Sequence, residues 1–317
     1  MNKFNSFAKK HHWLWAAIGS LLMFLTMSLI SGKISFSSFS ANFTIACYVT
    51  LCALGQMIVM TTGRGAFDLS IPNMITLSAF LTMGLINGEN GKFFPVLLLV
   101  IAVGALIGFI NSLLVIRLKI TPMIATLAVG YILSTMTSIY NRTFNCMEVC
   151  GIMQAVIGKK ILGLPIICYL VLLIVAGIYG MFRSVTLGRA LLALGQNKKA
   201  AQLAGIKVNL VETFAYMISA VLAALCGFFL SGRVGGAFLG MGDSYLMDTV
   251  GSVVIGGTLA SGGRAVAVGT LFGALFLGFV VAAMQVANFS IGVQNIIKGI
   301  IIVLVLALSS SRKGKTD

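Results

Sequence analysis

Asp68, Ser70, Asn73, Asn111, Asp248 and Lys298 are the side chains whose type and setting suit transmembrane chemistry. They are charged or hydrogen-bonding groups in or beside long apolar runs. A charge near a bilayer centre costs roughly 2.5 kcal/mol upward, so each needs a compensating role. Asp68 falls in the break Gly63–Asn73, which holds two glycines, an arginine and a proline in a chain with only 7 acidic residues. Its placement beside an apolar run reads as an anion capping a helix N-terminus, with Ser70 and Asn73 nearby and direct contact with a permeating solute as the alternative. Asp248 reads the same way at the start of a later run. Lys298, deeper in the last run beside Gln294 and Asn295, reads as half of an internal salt bridge or as a snorkelling cation, ahead of solute contact. Asn111, followed by Ser112, is open between a lining residue and an interhelical hydrogen bond. These six are the candidate substrate-pathway residues.

No catalytic centre assembles from the rest. Gly158-Lys159-Lys160 lacks the spacing and hydroxyl of a phosphate-binding loop, so ATP hydrolysis by this chain is not expected. His11 and His12 are adjacent, not at helical spacing, and read as solvated. The 6 cysteines show no metal-ligand grouping. Four read as small core hydrophobes, and Cys146 with Cys150 leaves a disulfide open. No cofactor and no metal are expected.

The elements that position these groups are membrane helices. Of 317 residues, 59% are hydrophobic and 9% charged, with mean hydropathy +1.05. A soluble domain of that balance would expose far too apolar a surface. Apolar runs of about 20 residues suit spanning helices rather than barrel strands. Ten spans are predicted: Trp13–Ser31, Phe43–Thr62, Leu69–Ile86, Pro95–Ile116, Pro122–Tyr140, Ile161–Phe182, Val211–Ser231, Tyr245–Ala260, Ala265–Ala287 and Ile291–Leu308. The expected fold is a single all-α polytopic membrane domain over residues 1–317. Fifteen Lys and Arg fall on one side of this layout and six on the other, Lys298 lying within a span. That bias predicts both termini in the cytoplasm. It also explains the net charge of +15 without nucleic acid. The run after Met1–His12 is long enough to span and shows no cleavage site.

An internal repeat is also expected. Gly63-Arg64 recurs as Gly232-Arg233, and Gly104-Ala105-Leu106 as Gly273-Ala274-Leu275, both at an offset of 169. Halves of about 43–140 and 211–308 would then have opposite topology, an arrangement that puts transporter sites at the repeat interface. The hydrophilic segment 183–209 predicts two short helical pieces. The second is Lys198–Leu203, capped by Asn197 and stopped by Gly205. Its basic residues suit a loop that fixes orientation, with a docking ridge as the alternative. The pairs Gly256-Gly257 and Gly262-Gly263 read as close helix packing or a broken helix.

Three stretches carry a resemblance. Asp68-Leu69-Ser70, the loop Gly188-Arg189 through Gly195, Asn197, Ala200-Ala201 and Gly205-Ile206, and Val253–Gly263 resemble, in collinear order, the permease family of bacterial ribose and related monosaccharide ABC importers. That family shares a fold with branched-chain amino-acid permeases, and the similarity covers roughly residues 45–310. Phe67 and Pro72 depart from its more usual Gly-Ile-Asp-Leu-Ser-Val-Gly, and Lys198-Lys199 stand where an acidic residue is common. The resemblance implies a second permease copy or paralogue, cytoplasmic ATPase subunits, an extracytoplasmic solute-binding protein and a bacterial inner-membrane location among lipid. It implies that Gly188, Arg189, Gly195, Asn197, Ala200, Ala201 and Gly205 form the ATPase coupling loop. The expected function is the membrane path for a ribose-like monosaccharide. Alternatives are another small solute, such as a sugar-like signal or a nucleoside, an ion-driven secondary carrier, and a purely structural membrane subunit.

Overall fold

The computed structural model describes residues 13–311 except 64 and 145–147, with side chains described to 307. Lys3, Lys9, Lys10, His11, His12, Arg64, Arg312, Lys313, Lys315 and the Cys146–Cys150 pairing lie outside the described residues. A helix occupies each predicted span: α1 (Trp13–Ser31), α2 (Phe36–Thr61), α3 (Ile71–Ile86), α4 (Phe93–Ile116) and α5 (Pro122–Asn141). A short α6 (Gly151–Gly158) and a hairpin β1 (Lys160–Ile161), β2 (Leu164–Pro165) lead into α7 (Ile166–Ser184). Then come α8 (Thr186–Gln196), α9 (Lys198–Leu203), α10 (Val208–Val234), α11 (Tyr245–Ile255), α12 (Ala267–Val286) and α13 (Ile291–Ser311). The protein is an all-α polytopic membrane protein. Seven of these helices are long and apolar enough to cross a bilayer.

Three predicted spans need correction. The second, predicted from Phe43, begins seven residues earlier at Phe36, where the Ser35 side chain accepts from Ser37 N and caps the helix. The sixth begins five residues late, because Gly163 turns a hairpin that pairs Ile161 with Leu164 before the helix starts. The eighth, predicted to Ala260, stops at Ile255. Gly257, Gly262 and Gly263 all have positive φ there, a conformation glycine adopts at no steric cost. Gly256 meanwhile packs on Gly269 of α12, so the segment is both a broken helix and a close contact. With 11 residues α11 extends only about 17 Å, and α3, with 16, about 24 Å, against a hydrocarbon core of about 30 Å.

The core is built on α2 and α10. Cys226 Sγ donates to the Tyr48 carbonyl at 3.4 Å, and Gly55 packs on the Ser219 backbone farther along, so the two helices run antiparallel. α4 lies along α10, where Gly104 faces Ala220 and Ala224 and Gly108 faces Tyr216 and Met217. Without a hydrophobic force between helices in lipid, such backbone approach is what holds the pair. α1 packs on α12, stacking Trp13 on Phe272 at 5.7 Å between ring centroids. Leu51, Leu54, Met57, Phe80 and Phe228 fill the centre and are fully buried.

The α4–α10 seam predicts a stability effect. Gly108→Val drives its side chain into the Met217 backbone, and overpacking of this kind costs about 1–3 kcal/mol. Thermal unfolding of the detergent-solubilised protein shifts down. Gly177→Ala, on α7 with no atom within 4 Å of the new methyl, leaves it unchanged.

Candidate functional site

Residues 65–70 stay within the bundle between α2 and α3. They fold back beside α2, and Asp68 lies against the interior of α10. Backbone at this depth has no water to bond, so its donors need protein partners. Three successive N–H groups find side-chain oxygens. Asp68 N donates to Gln56 Oε1 at 3.1 Å, Leu69 N to Thr126 Oγ1 at 2.9 Å, and Ser70 N to Asp68 Oδ1 at 3.0 Å. Pro72, in the first turn of α3, brings no N–H to be satisfied.

The Asp68 carboxylate closes the network. Oδ1 also accepts the Ser70 hydroxyl at 2.5 Å, Ser70 Oγ accepts Asn111 Nδ2 at 2.9 Å, and Oδ2 accepts Ser219 Oγ at 2.7 Å. One carboxylate thereby ties the re-entrant turn and α3 to α4 and α10. Gln56, Asp68, Ser70, Asn111, Thr126 and Ser219 all have zero exposure. Their chemistry is structural: an anion held by three donors beside the N-terminus of α3. Asp68 closes an Asx turn by accepting the N–H of Ser70, the residue before α3, and no side chain caps the first turn of that helix. Asn111 is an interhelical hydrogen-bonding residue. Asn73 stands apart, its amide against Gly130.

Asp248 and Lys298, placed 50 residues apart in sequence, meet as an ion pair at 3.0 Å between α11 and α13. The salt bridge expected of Lys298 is therefore present, and Asp248 lies in the first turn of α11. The pair is separate from the Asp68 network. Gln56, Thr126 and Ser219 were missed in the sequence. Gln56 carried a signal, a lone amide within an apolar run, whereas Thr126 and Ser219 are ordinary helix residues until the fold brings them to Asp68.

A second polar centre sits at the opposite end of α2 from the hairpin. Gly195, near the C-terminus of α8, abuts the Thr61 carbonyl and Gly263, and Gly262 abuts Gly63. Gly263 N donates to Thr61 O at 3.0 Å. The end of α2, the α8–α9 segment and the glycine turn after α11 thus interlock largely through backbone, with the Gln196 side chain against Gly263. Thr62, Gly63, Gly195, Gln196, Lys199 and Ser261 are among the residues lining a cleft of about 370 Å³ there. Asn197 Oδ1 accepts from Ala200 N at 3.1 Å, capping α9 as expected, and Gly205 stops it at φ 81°. Lys198 pairs with Glu212 of α10 at 2.5 Å. Gly188 and Ala201 face inward, while Arg189, Ala200 and Gly205 are exposed and Leu203 is 90% exposed. The result is a ridge pinned to the bundle from beneath.

Both centres yield predictions. Asp68→Ala leaves the Ser70 and Ser219 donors without an acceptor, at about 1–3 kcal/mol for each orphaned group, and thermal unfolding registers a drop several times that of Ser219→Ala. Lys298→Met strands the Asp248 carboxylate, and Lys298→Met with Asp248→Leu recovers most of the lost stability, the pattern of a replaced ion pair.

Residues 38–308 match the family described as branched-chain amino acid transport system, permease component. The ribose import permease protein of Bacillus subtilis is 33% identical over 83% of this chain and 81% of its own length. That of Haemophilus influenzae is 29% identical over 83% and 82%, and the fructose import permease protein of Rhizobium meliloti 29% over 95% and 87%. No solved structure matches. With a match across most of its length and relatives aligned nearly end to end, the chain belongs to this permease-component family.

Proposed function

We propose that the chain is the transmembrane permease of an ABC importer for a monosaccharide, ribose-like or a related sugar. An extracytoplasmic binding protein delivers the solute, separate ATPase subunits drive the cycle, and a second permease copy or paralogue completes the membrane unit. The observation that carries this reading is the ridge of α8 and α9, rigidly capped, exposed at its tip and interlocked through glycine backbone with the ends of α2 and α11. A loop that only fixed orientation would need none of that. The similar proteins named for ribose and fructose import support the solute class. ATPase closure pushes the ridge, and the interlock carries the displacement to α2 and to the turn between α11 and α12. The arginine and lysine bias supports this face, and with it both termini, lying in the cytoplasm. Both Asp68 oxygens accept protein donors and the side chain has zero exposure, which favours the importer over an ion-driven carrier needing an open midplane carboxylate.

The same reading takes residues 43–140 and 211–308 as inverted halves of one domain. In support, α2 packs on α10, α11 and α12, while α10 packs on α2, α3 and α4. Exchanging the halves maps one set onto the other. Each half also has a break that turns inward. The second brings Gly242 N to Thr76 Oγ1 at 3.1 Å, beside Pro72 of the first.

Reconstituted with its ATPase and binding protein in vesicles, the permease imports labelled ribose or a related sugar when ATP is present, and ionophores leave that uptake intact. Uptake that follows an ion gradient without ATP overturns the reading. Ala200→Trp, at an exposed position on α9, lowers uptake about tenfold or more in a normally assembled complex, as loss of roughly 1.4 kcal/mol of coupling contact requires. Gly195→Leu, which collides with Thr61 and Gly263, does the same through the interlock. Unimpaired uptake with Ala200→Trp sinks the docking role.

A further inference from the structure

The residues of the Asp68 network are sealed at zero exposure, including Gln56 Nε2 and Asn111 Oδ1, which have no hydrogen-bond partner, so a polar solute must find its contacts elsewhere. The interior of the single chain offers little, because Leu51, Leu54, Met57, Phe80 and Phe228 fill it. The outer surface is more telling. On α4 every large exposed side chain is apolar: Phe94, Leu98, Leu99, Leu106, Phe109 and Leu113. That is a lipid face. On α5 the buried positions Ala125, Thr126, Val129, Gly130, Leu133 and Thr137 point to the bundle. On the opposite side, at spacings of three and four, stand Tyr131, Ser134, Thr135 and Ser138. Tyr131 is 66% exposed, and Ser134 and Thr135 are exposed as well. A separate exposed stripe on the same helix, Ile132, Met136 and Ile139, is wholly apolar.

Hydroxyl side chains gathered on one side of a membrane helix offer hydrogen bonds that lipid tails cannot answer and that a neighbouring protein surface or water can. Resting on the permease reading above, we infer that the Tyr131–Ser134–Thr135–Ser138 face of α5 is the wall that solute touches, one side of a wet path whose other side comes from a second copy. The ladder rises about 10 Å from Tyr131 to Ser138. Its chemistry selects neutral polyhydroxylated solutes. Thr135 Oγ1 donates to the Tyr131 carbonyl at 3.0 Å and Ser138 Oγ to that of Ser134 at 2.9 Å. Their protons are thus spent on the helix, and their lone pairs remain for solute hydroxyls. Tyr131 adds an aromatic face for the apolar side of a sugar ring and a hydroxyl at its edge. No charge is present to hold a solute tightly, which suits a surface that must also release it. Ile132, Met136 and Ile139 face lipid beside it.

The test uses the assembled transporter, permease with ATPase and binding protein, in vesicles. The permease has Cys146→Ser as background, since the five other cysteines are buried. Thr135→Cys reacts with a small hydrophilic thiol reagent, and transported sugar slows that reaction. Met136→Cys, one residue on, stays unreactive. Tyr131→Ala, and separately Thr135→Val with Ser138→Ala, lower sugar uptake about tenfold, the fold-change of one lost solute contact of about 1.4 kcal/mol. ATP hydrolysis stimulated by the binding protein persists in these variants, which a merely misfolded chain would lose. Equal reactivity at positions 135 and 136, or normal uptake by the Tyr131 and Thr135/Ser138 variants, overturns the assignment. If the unmodified transporter imports neither ribose nor a related sugar, the permease reading fails instead, so the two failures are distinct.

Discussion

Backbone without water is the constraint behind this architecture. A chain that turns back inside a bilayer must give every N–H an oxygen, and the turn before α3 does so with Gln56, Thr126 and Asp68 itself. Once those oxygens are fixed, α2, α3 and α5 cannot move independently of the turn. The carboxylate extends the demand to α10 through Ser219 and, by way of Ser70, to α4 through Asn111. Helix packing then follows the polar anchor: glycines at 104 and 108 let α4 settle onto α10 at the same level. An apolar replacement of this centre would have to remove the turn as well, because the donors belong to the backbone.

Much of this was legible in the sequence because membrane solvation is severe. Apolar runs located a helix at each span, and the scarcity of acids singled out Asp68 and Asp248. The Asn197 cap and Gly205 stop marked α9 from local rules alone. What escaped depended on long-range meeting. Ser219 looks like any other helix serine until α10 is laid against the turn, and Thr126 resembles the many threonines bonding their own helix. The eighth span was over-extended because Gly256–Gly263 is apolar enough to pass for helix. Hydropathy does not register that three of its glycines adopt positive φ.

Rigidity is unevenly distributed. The Asp68 centre is closed and side-chain bonded. The joint of Thr61, Gly195 and Gly263, by contrast, is mostly backbone, with a hydrogen bond from Gly263 N to Thr61 O and a cleft beside it. Backbone packed this closely passes a push on directly. The protein therefore has a fixed anchor within the bundle and a stiff joint at its edge, a division suited to moving one end of a helix while its middle stays anchored.

The spacing of the Asp68 contacts also sets an order in time. Gln56 and Ser70 are made alongside the aspartate, but Ser219 lies 151 residues later. At synthesis rates of about 5–20 residues per second, the second carboxylate oxygen waits roughly 8–30 s for its donor. Through that interval the half-built protein holds an incompletely solvated anion at the membrane, where insertion machinery or lingering water must shelter it. A polypeptide ending before α10 would lack the Ser219 donor and leave Asp68 Oδ2 without it.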